Sequence, residues 1–395
     1  MTFEEIKAVF DRYVTPNYSR LPIAVVKAEG SFFHDVEGKK YIDLFPGWGV
    51  SSVGYCHKTV VSAVKSQAAK LLHVPNNFYI PEQGLLAQAI VERAFPGKVF
   101  FCNSGAEAVE SALKLARIHG RNRRYKIVSM ENSFHGRTMG ALSATGQEKY
   151  QREFRPLVPG FTSVPFNDLG AASAAIDDET AAVIVEPVQG EGGVNVAAQD
   201  YVAGLRRITR ERDVLLIFDE VQTGFGRTGE WFAFKHYGVE PDIMCMAKAI
   251  GGGMPMGAIL AGEKTADLLT PGTHASTFGG NSIACAAALA VIKVIEKEKL
   301  LARGKKLGEK LSARFAEWQK RFPMVKETRG LGAMWGVELA VEGKPVVDAC
   351  LKKGVNINCT HGTVLRMLPA LNVSDETLEE GLRVVEEAMS ETLRE

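Results

Sequence analysis

Short runs of β-branched and aromatic residues alternate along this chain with longer stretches of helical period. Candidate strands are KVFFCN (98–103), KIVSM (126–130), AAVIVEP (181–187), DVLLIFDE (213–220) and IMCMA (243–247), and residues 83–94, 107–119, 201–212 and 282–298 fit helices. The alternation predicts an α/β architecture with a mainly parallel central sheet. Two regions differ. Residues 30–43, GSFFHDVEGKKYID, read as a hairpin around Glu37-Gly38, and residues 329–339, RGLGAMWGVEL, as a glycine-bearing strand after a charged helix at 295–320. With a C-terminal helix at 375–392 they are expected to form a smaller domain built from both chain ends. On this division residues 1–45 contribute to the small domain, 46–290 form the large domain and 291–395 complete the small one.

Composition narrows the partners. The chain has 395 residues, 46% of them hydrophobic and 24% charged, which is ordinary for a folded, water-soluble protein. Lys and Arg number 47 against 46 Asp and Glu, so no net field recommends nucleic acid, an anionic membrane or an acidic partner. Small molecules and copies of the same chain are the expected partners. Six cysteines lie scattered without a C-x-x-C pair or a Cys/His cluster, which predicts buried reduced thiols and no metal site. The N-terminus, MTFEEIKAVFDRYV, is acidic and amphipathic, unlike a signal peptide. No apolar run approaches the roughly 18 residues needed to span a bilayer, and a cytoplasmic location is expected.

Five stretches could carry chemistry. GFGRTG (224–229) satisfies G-x-G-x-x-G after a strand, which raises a nicotinamide dehydrogenase. Asp219 and Glu220 intervene, however, and aromatic WFAF follows where a helix should open. GAILAGEKT (257–265) misses the nucleotide P-loop by one inserted residue, Glu263. In CNSGAEAVESALKLAR (102–117) a strand runs into Ser104-Gly105-Ala106 and a helix, with Glu107 at capping-box spacing from Ser104. Gly105 and Ala106 lack bulk, so a phosphate can approach their amides and the positive end of the helix dipole; an ordinary helix cap explains the stretch as well. In LLIFDEVQTG the strand ends in Asp219, at the sheet edge where such folds bind ligands. Lys248 sits in IMCMAKAIGGGMP among apolar residues, a setting that lowers the amine's pKa and frees it for a Schiff base. Taken together, Lys248 for an aldehyde, Asp219 for a pyridine nitrogen and Ser104–Ala106 for a phosphate suit pyridoxal 5'-phosphate.

The sequence resembles the class III pyridoxal-phosphate-dependent aminotransferases over nearly its whole length. The motifs that carry the likeness are NSGAEAVESALKLAR, NSFHGRTMGALSATG, VEPVQGEGGV, DEVQTGFGRTG, PDIMCMAKAIGGGMPMGA and HASTFGGNSIACAAALAV. The resemblance implies the aspartate-aminotransferase-like fold (fold type I) and a homodimer with its active sites at the interface. It implies that Lys248 holds the cofactor and then serves as acid and base, and that Asp219 keeps the ring nitrogen protonated. Gln222 would bond the phenolic oxygen, Val221 and Phe134 would sandwich the ring, and Gly105 and Ala106 would hold the phosphate with Thr277 of the second subunit. Arg137 would grip a substrate carboxylate, with Tyr18 and Ser276 as secondary candidates for the pocket wall. Glu191 and Arg366 resemble the family's switch pair, the glutamate masking the arginine in one half-reaction and releasing it in the other, and Glu186 would support the site from behind.

Within the family, the length and the lack of an N-terminal extension lean towards the members that act on N2-acetyl-L-ornithine and 2-oxoglutarate in arginine biosynthesis. Ornithine, succinylornithine, succinyldiaminopimelate and 4-aminobutyrate remain alternative amino donors. Outside the family, a nicotinamide dehydrogenase and a non-catalytic binding protein remain open. One segment departs from the family. In PGWGVSSVGYCHK (46–58) Trp48, Ser51, Tyr55 and Lys58 replace an aliphatic residue, an asparagine, a histidine and a proline, and Trp48 is expected either to reshape the distal end of the pocket or to be a compensated packing change.

Overall fold

Three apolar strands, Thr180–Val185, Leu215–Asp219 and Ile243–Met246, are buried at every position. Strands covered on both faces need no polar alternation, which is why they read as unbroken apolar runs. In the computed structural model, which describes residues 1–392, they form the middle of a seven-stranded sheet. Its order is Gly97–Cys102, Gly257–Gly262, Ile243–Met246, Leu215–Asp219, Thr180–Val185, Lys126–Met130, Phe161–Val164. All neighbours pair parallel except Gly257–Gly262, which runs antiparallel to both of its partners. This α/β sheet with one reversed strand has the architecture expected of the sequence. Gly257–Gly262 and the outer strand Phe161–Val164 were not among the predicted strands.

The chain ends meet. Val25–Glu29, Phe32–Asp35 and Lys40–Asp43 form a sheet that takes in Val355–Asn356 from the far end as a parallel neighbour. The helix Asp375–Thr392 packs over this junction. A second sheet contains Val325–Leu331, Met334–Leu339, Val364–Met367 and Asn358–Thr360.

Two sequence expectations need correction here. Residues 329–339 are not one strand but parts of a hairpin, because Gly332 takes φ +57° and turns the chain. A side chain there is excluded as well, since a Cβ would lie 2.3 Å from the carbonyl carbon of Thr228. The charged helix at 295–320 is likewise two helices, Ser282–Lys297 and Leu300–Arg321, broken where Lys299 adopts φ 54°.

The same hairpin explains the glycines at 224–229. Arg227 is fully buried, and its guanidinium donates to the carbonyls of Ala333 (3.2 Å) and Pro369 (2.6 Å). The segment is an irregular loop pinned beneath the hairpin, and the next helix is only the single turn Phe234–Tyr237. A dinucleotide-binding turn needs glycines that open a helix, and these do not.

Candidate active site

Leu215–Asp219 and Ile243–Met246 run parallel with Asp219 opposite Cys245. Asp219 therefore ends its strand beside the point where the neighbouring chain leaves the sheet, and Lys248 lies two residues beyond that strand. Both side chains line one cavity of about 430 Å³ at the carboxyl edge of the sheet. Burial pushes the Lys248 ammonium below its ordinary pKa, with Arg366 acting in the same direction, while Glu191, Asp219 and Glu186 oppose it. The balance favours a neutral, nucleophilic amine.

Asp219 is held at both oxygens. Oδ1 accepts from the Val221 amide at 3.0 Å, and Oδ2 lies 2.7 Å from His135 Nδ1. His135 is wholly buried. Its burial disfavours the charged ring, yet the hydrogen bond to Asp219 and the charges of Asp219 and Glu186 raise its pKa above the ordinary value. Sequence reasoning did not single out His135, although it stands in FHGRT beside Phe134 and close to Arg137, both of which it assigned.

The helix Gly105–His119 points its first turn at the cavity. Ser104 is extended (φ −151°) and its Oγ accepts from the Glu107 amide at 3.2 Å. The predicted capping box is only half present, because the Glu107 carboxylate turns to the backbone and side chain of Asn103 instead of the Ser104 amide. Gly105 and Ala106 line the cavity, and amides in a helix's first turn have no helical carbonyl to bond. With the helix dipole they make a cradle for an anion.

Phe134 and Val221 line the same cavity, and each is tethered through its backbone amide to a buried acid. Phe134 donates to Glu186 at 3.0 Å and Val221 to Asp219. Burial lifts the Glu186 pKa to about 7, against the lowering effects of His135 and the Phe134 amide. Gln222 donates from Nε2 to the Trp48 carbonyl at 3.3 Å, while its buried Oε1 has no partner. An unpartnered buried acceptor costs stability until a donor fills it, and a ligand hydroxyl supplies one. A free amine, an anion cradle, a carboxylate and this acceptor in one cavity fit a flat phosphorylated aldehyde bearing a ring nitrogen and a hydroxyl.

Arg137 lines the cavity with its guanidinium over the Tyr150 ring at 4.0 Å and 5.7 Å from the Phe134 ring. Its fork is engaged with aromatic faces and suits a planar carboxylate. On another wall stands Glu191, whose Oε1 pairs with Arg366 at 2.8 Å. Arg366 is fully buried behind it, bonded through Nε and a terminal nitrogen to Asn358 and stacked 4.7 Å over Phe45. Burial raises the Glu191 pKa, but the charge and hydrogen bond of Arg366 outweigh it, and the net shift is downward.

Not every predicted site residue reaches this cavity. Ser276 and Thr277 border a second cavity of about 320 Å³, which shares Asn103 with the first. Ser276 Oγ accepts from Asn103 Nδ2 at 3.1 Å. Tyr18 is exposed on the N-terminal segment, where the Arg20 guanidinium lies 5.8 Å from its ring. Trp48 is 54% exposed and held at φ 62° between two glycines that also have positive φ. It leans on Phe45 at 5.9 Å, the ring beneath Arg366, so it adjoins the Glu191–Arg366 pair without lining the cavity.

Comparison with known proteins agrees with this geometry. The sequence profile of the family described as Aminotransferase class-III matches residues 13–389. A curated acetylornithine aminotransferase of Methanocaldococcus jannaschii is 47% identical over 389 residues, covering 96% of each chain. Among solved structures, the ornithine aminotransferase from Toxoplasma gondii superposes with a TM-score of 0.95 at 34% identity, covering 100% of this chain and 96% of that one. The acetylornithine aminotransferase from Elizabethkingia anophelis superposes with a TM-score of 0.88 at 32% identity, covering 99% of this chain and 100% of that one.

Proposed function

This chain belongs to the class III aminotransferases and is a pyridoxal-phosphate-dependent transaminase, and on that premise we propose that it moves the terminal amine of N2-acetyl-L-ornithine to 2-oxoglutarate, giving N-acetyl-L-glutamate 5-semialdehyde and L-glutamate by a ping-pong mechanism. The relative at 47% identity supports this choice of donor. The structural observation that carries the two-substrate reading is the buried Glu191–Arg366 pair, one member on the cavity wall and the other behind it.

When bound, pyridoxal phosphate supplies an aldehyde that condenses with amines and a ring that accepts the electron pair left at the reacting carbon. The residues of this chain do the rest. Gly105 and Ala106 hold the phosphate through their amides at the helix N-terminus, and Ser104 keeps that turn in place by capping it. Asp219 offers its carboxylate to the ring nitrogen and Gln222 its amide to the phenolic oxygen, while Phe134 and Val221 bound the two faces. Lys248 Nζ would carry the cofactor at rest; once released, its neutral amine would serve as base for the proton on the donor's amine-bearing carbon and then as acid, returning that proton to complete the 1,3-shift.

Arg137, which lines the cavity, binds the donor's carboxylate through its fork, while Tyr18 and Ser276 lie outside this cavity and take no part in its wall within one chain. With the donor bound, Glu191 keeps Arg366 neutralised. When glutamate or 2-oxoglutarate enters, Glu191 swings aside and Arg366 takes the carboxylate next to the reacting carbon. Glu186 supports Phe134 from behind. A homodimer in which Thr277 of the second subunit reaches the phosphate belongs to the same proposal, supported by Thr277 bordering the second cavity and not the first. A cytoplasmic location completes it; no helix among the described residues is long and apolar enough to cross a membrane.

Single-turnover bleaching of the bound cofactor's visible absorbance tests the donor. N2-acetylornithine is expected to give the highest kcat/KM among acetylornithine, ornithine, succinylornithine, succinyldiaminopimelate and 4-aminobutyrate. A higher value for any other donor reassigns the substrate, and a protein that no donor bleaches contradicts the reading.

A further inference from the structure

We infer that Tyr55 is a positioning residue for the cofactor site: with Asp43 it pins the turn Pro46–Gly49, whose Trp48 carbonyl holds the Gln222 amide so that its oxygen stays free for the cofactor. The inference rests on the part given to Gln222 above. The turn needs a pin. Gly47, Trp48 and Gly49 follow one another at φ 57°, 62° and 88°, and the left-handed region is unfavourable for a residue as bulky as tryptophan. Backbone of this kind persists only where its surroundings over-determine it. Inside the segment two bonds close the turn, from the Val50 amide to the Gly47 carbonyl at 3.1 Å and from the Ser51 amide to the Pro46 carbonyl at 3.4 Å. Trp48 itself is more than half exposed, so burial of the indole does little to hold it.

The remaining hold comes from Asp43, which ends the strand Lys40–Asp43 and is almost wholly buried. Its Oδ1 accepts from the Phe45 amide at 2.8 Å and from Asn356 Nδ2 at 2.9 Å, and its Oδ2 accepts from the Tyr55 hydroxyl at 2.7 Å. The Phe45 amide lies just before the turn, while the Gly47 amide, within it, acts on the Tyr55 hydroxyl. Carboxylate and hydroxyl thus grip the turn at two points. Tyr55 cannot drift with it, because its own amide and carbonyl pair with Gly30 at 2.7 and 3.0 Å. On the cavity side the Trp48 carbonyl accepts from Gln222 Nε2, which fixes the sense of that amide and leaves its buried Oε1 unpartnered. Without the Tyr55 hydroxyl, Asp43 Oδ2 keeps no hydrogen-bond donor among the described residues and the Gly47 amide loses its acceptor. The turn can then relax out of the left-handed region, and Gln222 is free to rotate. Tyr55 stands where the family carries a histidine, so this hydroxyl is a contact the family's residue does not supply.

Tyr55→Phe removes the hydroxyl and keeps the ring, and Asn356 with the Phe45 amide still holds Asp43, so circular dichroism should match the parent. The dissociation constant of pyridoxal phosphate, measured by absorbance on cofactor-stripped protein, is expected to rise about tenfold in Tyr55→Phe, the scale of one lost hydrogen bond. Gln222→Leu should lose at least as much. The double variant should bind like Gln222→Leu alone, since Tyr55 acts only through Gln222. The visible absorbance maximum of the bound cofactor should move in the same direction in Tyr55→Phe as in Gln222→Leu, because both take a hydrogen bond from its phenolic oxygen. Losses that multiply in the double variant overturn the inference, for Tyr55 is then merely structural. So does Tyr55→Phe binding within about twofold of the parent while Gln222→Leu is weakened, a result that leaves the part of Gln222 standing. A Gln222→Leu protein that binds like the parent refutes that part, and the inference with it. No amino donor enters these measurements, so a wrong choice of substrate leaves them unchanged.

Discussion

A buried ion pair is costly to break from one side, and the consequences of that fact are sharpest at Glu191. Replacing it leaves Arg366 charged, fully buried and bonded only to Asn358 among the described residues, a situation worth several kcal/mol when the partner vanishes. Glu191→Gln keeps the volume and one hydrogen bond, so the fold should survive while the mask over Arg366 weakens. The acetylornithine half-reaction is expected to slow on the order of tenfold or more and the glutamate half-reaction to change less than about threefold, as fits the loss of one charge-assisted bond. Equal losses in separate single-turnover runs would sink the switch. A second residue sets a pH dependence. Burial raises the Glu186 pKa from 4.5 to about 7, so its contribution to stability is full below pH 4.5 and lost as pH rises through 7. The cofactor-free protein should lose up to ~3 kcal/mol from this source across that window, and Glu186→Gln should flatten the profile of Tm against pH; an unchanged slope refutes the assignment. Lys248 stood out in the sequence because a cation among apolar residues is odd for its type, and Asp219 and Gly105 by their places at a strand end and at a strand-to-helix turn. His135 did not, since its partner is a carboxylate 84 positions away, and nothing local marks a buried histidine as one that faces an acid.

Elements were readable where burial left a compositional trace. The three central parallel strands announced themselves by apolar content, whereas Gly257–Gly262 sets only Ile259 and Leu260 among alanines and glycines and looked like a nucleotide-loop motif. Packing explains its composition: a Cβ on Gly257 would sit 2.2 Å from the Ser104 carbonyl oxygen. The strand lies against the turn that begins the helix Gly105–His119, with no room for a methyl group, and the obstacle is backbone that cannot swing away. Gly105 is tighter than ordinary but softer, its nearest neighbour being Val221 Cγ1 at 3.0 Å. Gly257→Ala is therefore expected to displace the Ser104–Ala106 turn, costing about 1–3 kcal/mol of stability and weakening cofactor binding more than Gly105→Ala does. Thermal unfolding and cofactor titration of the two variants check the order, and a Gly257→Ala protein that binds the cofactor like the parent contradicts it. The hairpin at 325–339 escaped sequence reasoning for a related reason, since Gly332 turns the chain between segments that both look like strand.

At the scale of the whole molecule, apolar side chains crowd one exposed region. Leu72, Phe78, Tyr79 and Phe278 are all more than half exposed, and Tyr79 has no cover at all. Asn76 fastens this stretch to the loop carrying Thr277 through hydrogen bonds of 3.0 Å to the carbonyls of Ser276 and Gly279. The exposed aromatics and the unused Thr277 are thus one surface, tied to the second cavity that adjoins the first. The N-terminal helix Phe3–Tyr13 has no buried residue either, though its Val9, Phe10 and Tyr13 are apolar. Patches of this kind mark surfaces that a partner covers, and a second copy that brings its own Thr277 to the first copy's helix N-terminus would bury them and complete the phosphate site together. The pattern of apolar and polar positions held no warning of this surface, because residues 72–79 are irregular and have no period to break. The double variant Phe78→Asp, Tyr79→Asp should sediment as a monomer and lose cofactor affinity along with activity, since charges replace the apolar contacts of such a dimer and the second Thr277 is withdrawn. Thr277→Ala should weaken the cofactor without changing the sedimentation coefficient. The two variants separate assembly from phosphate binding: a parent protein that is monomeric yet fully active, or a monomeric double variant with undiminished cofactor affinity, removes the shared site.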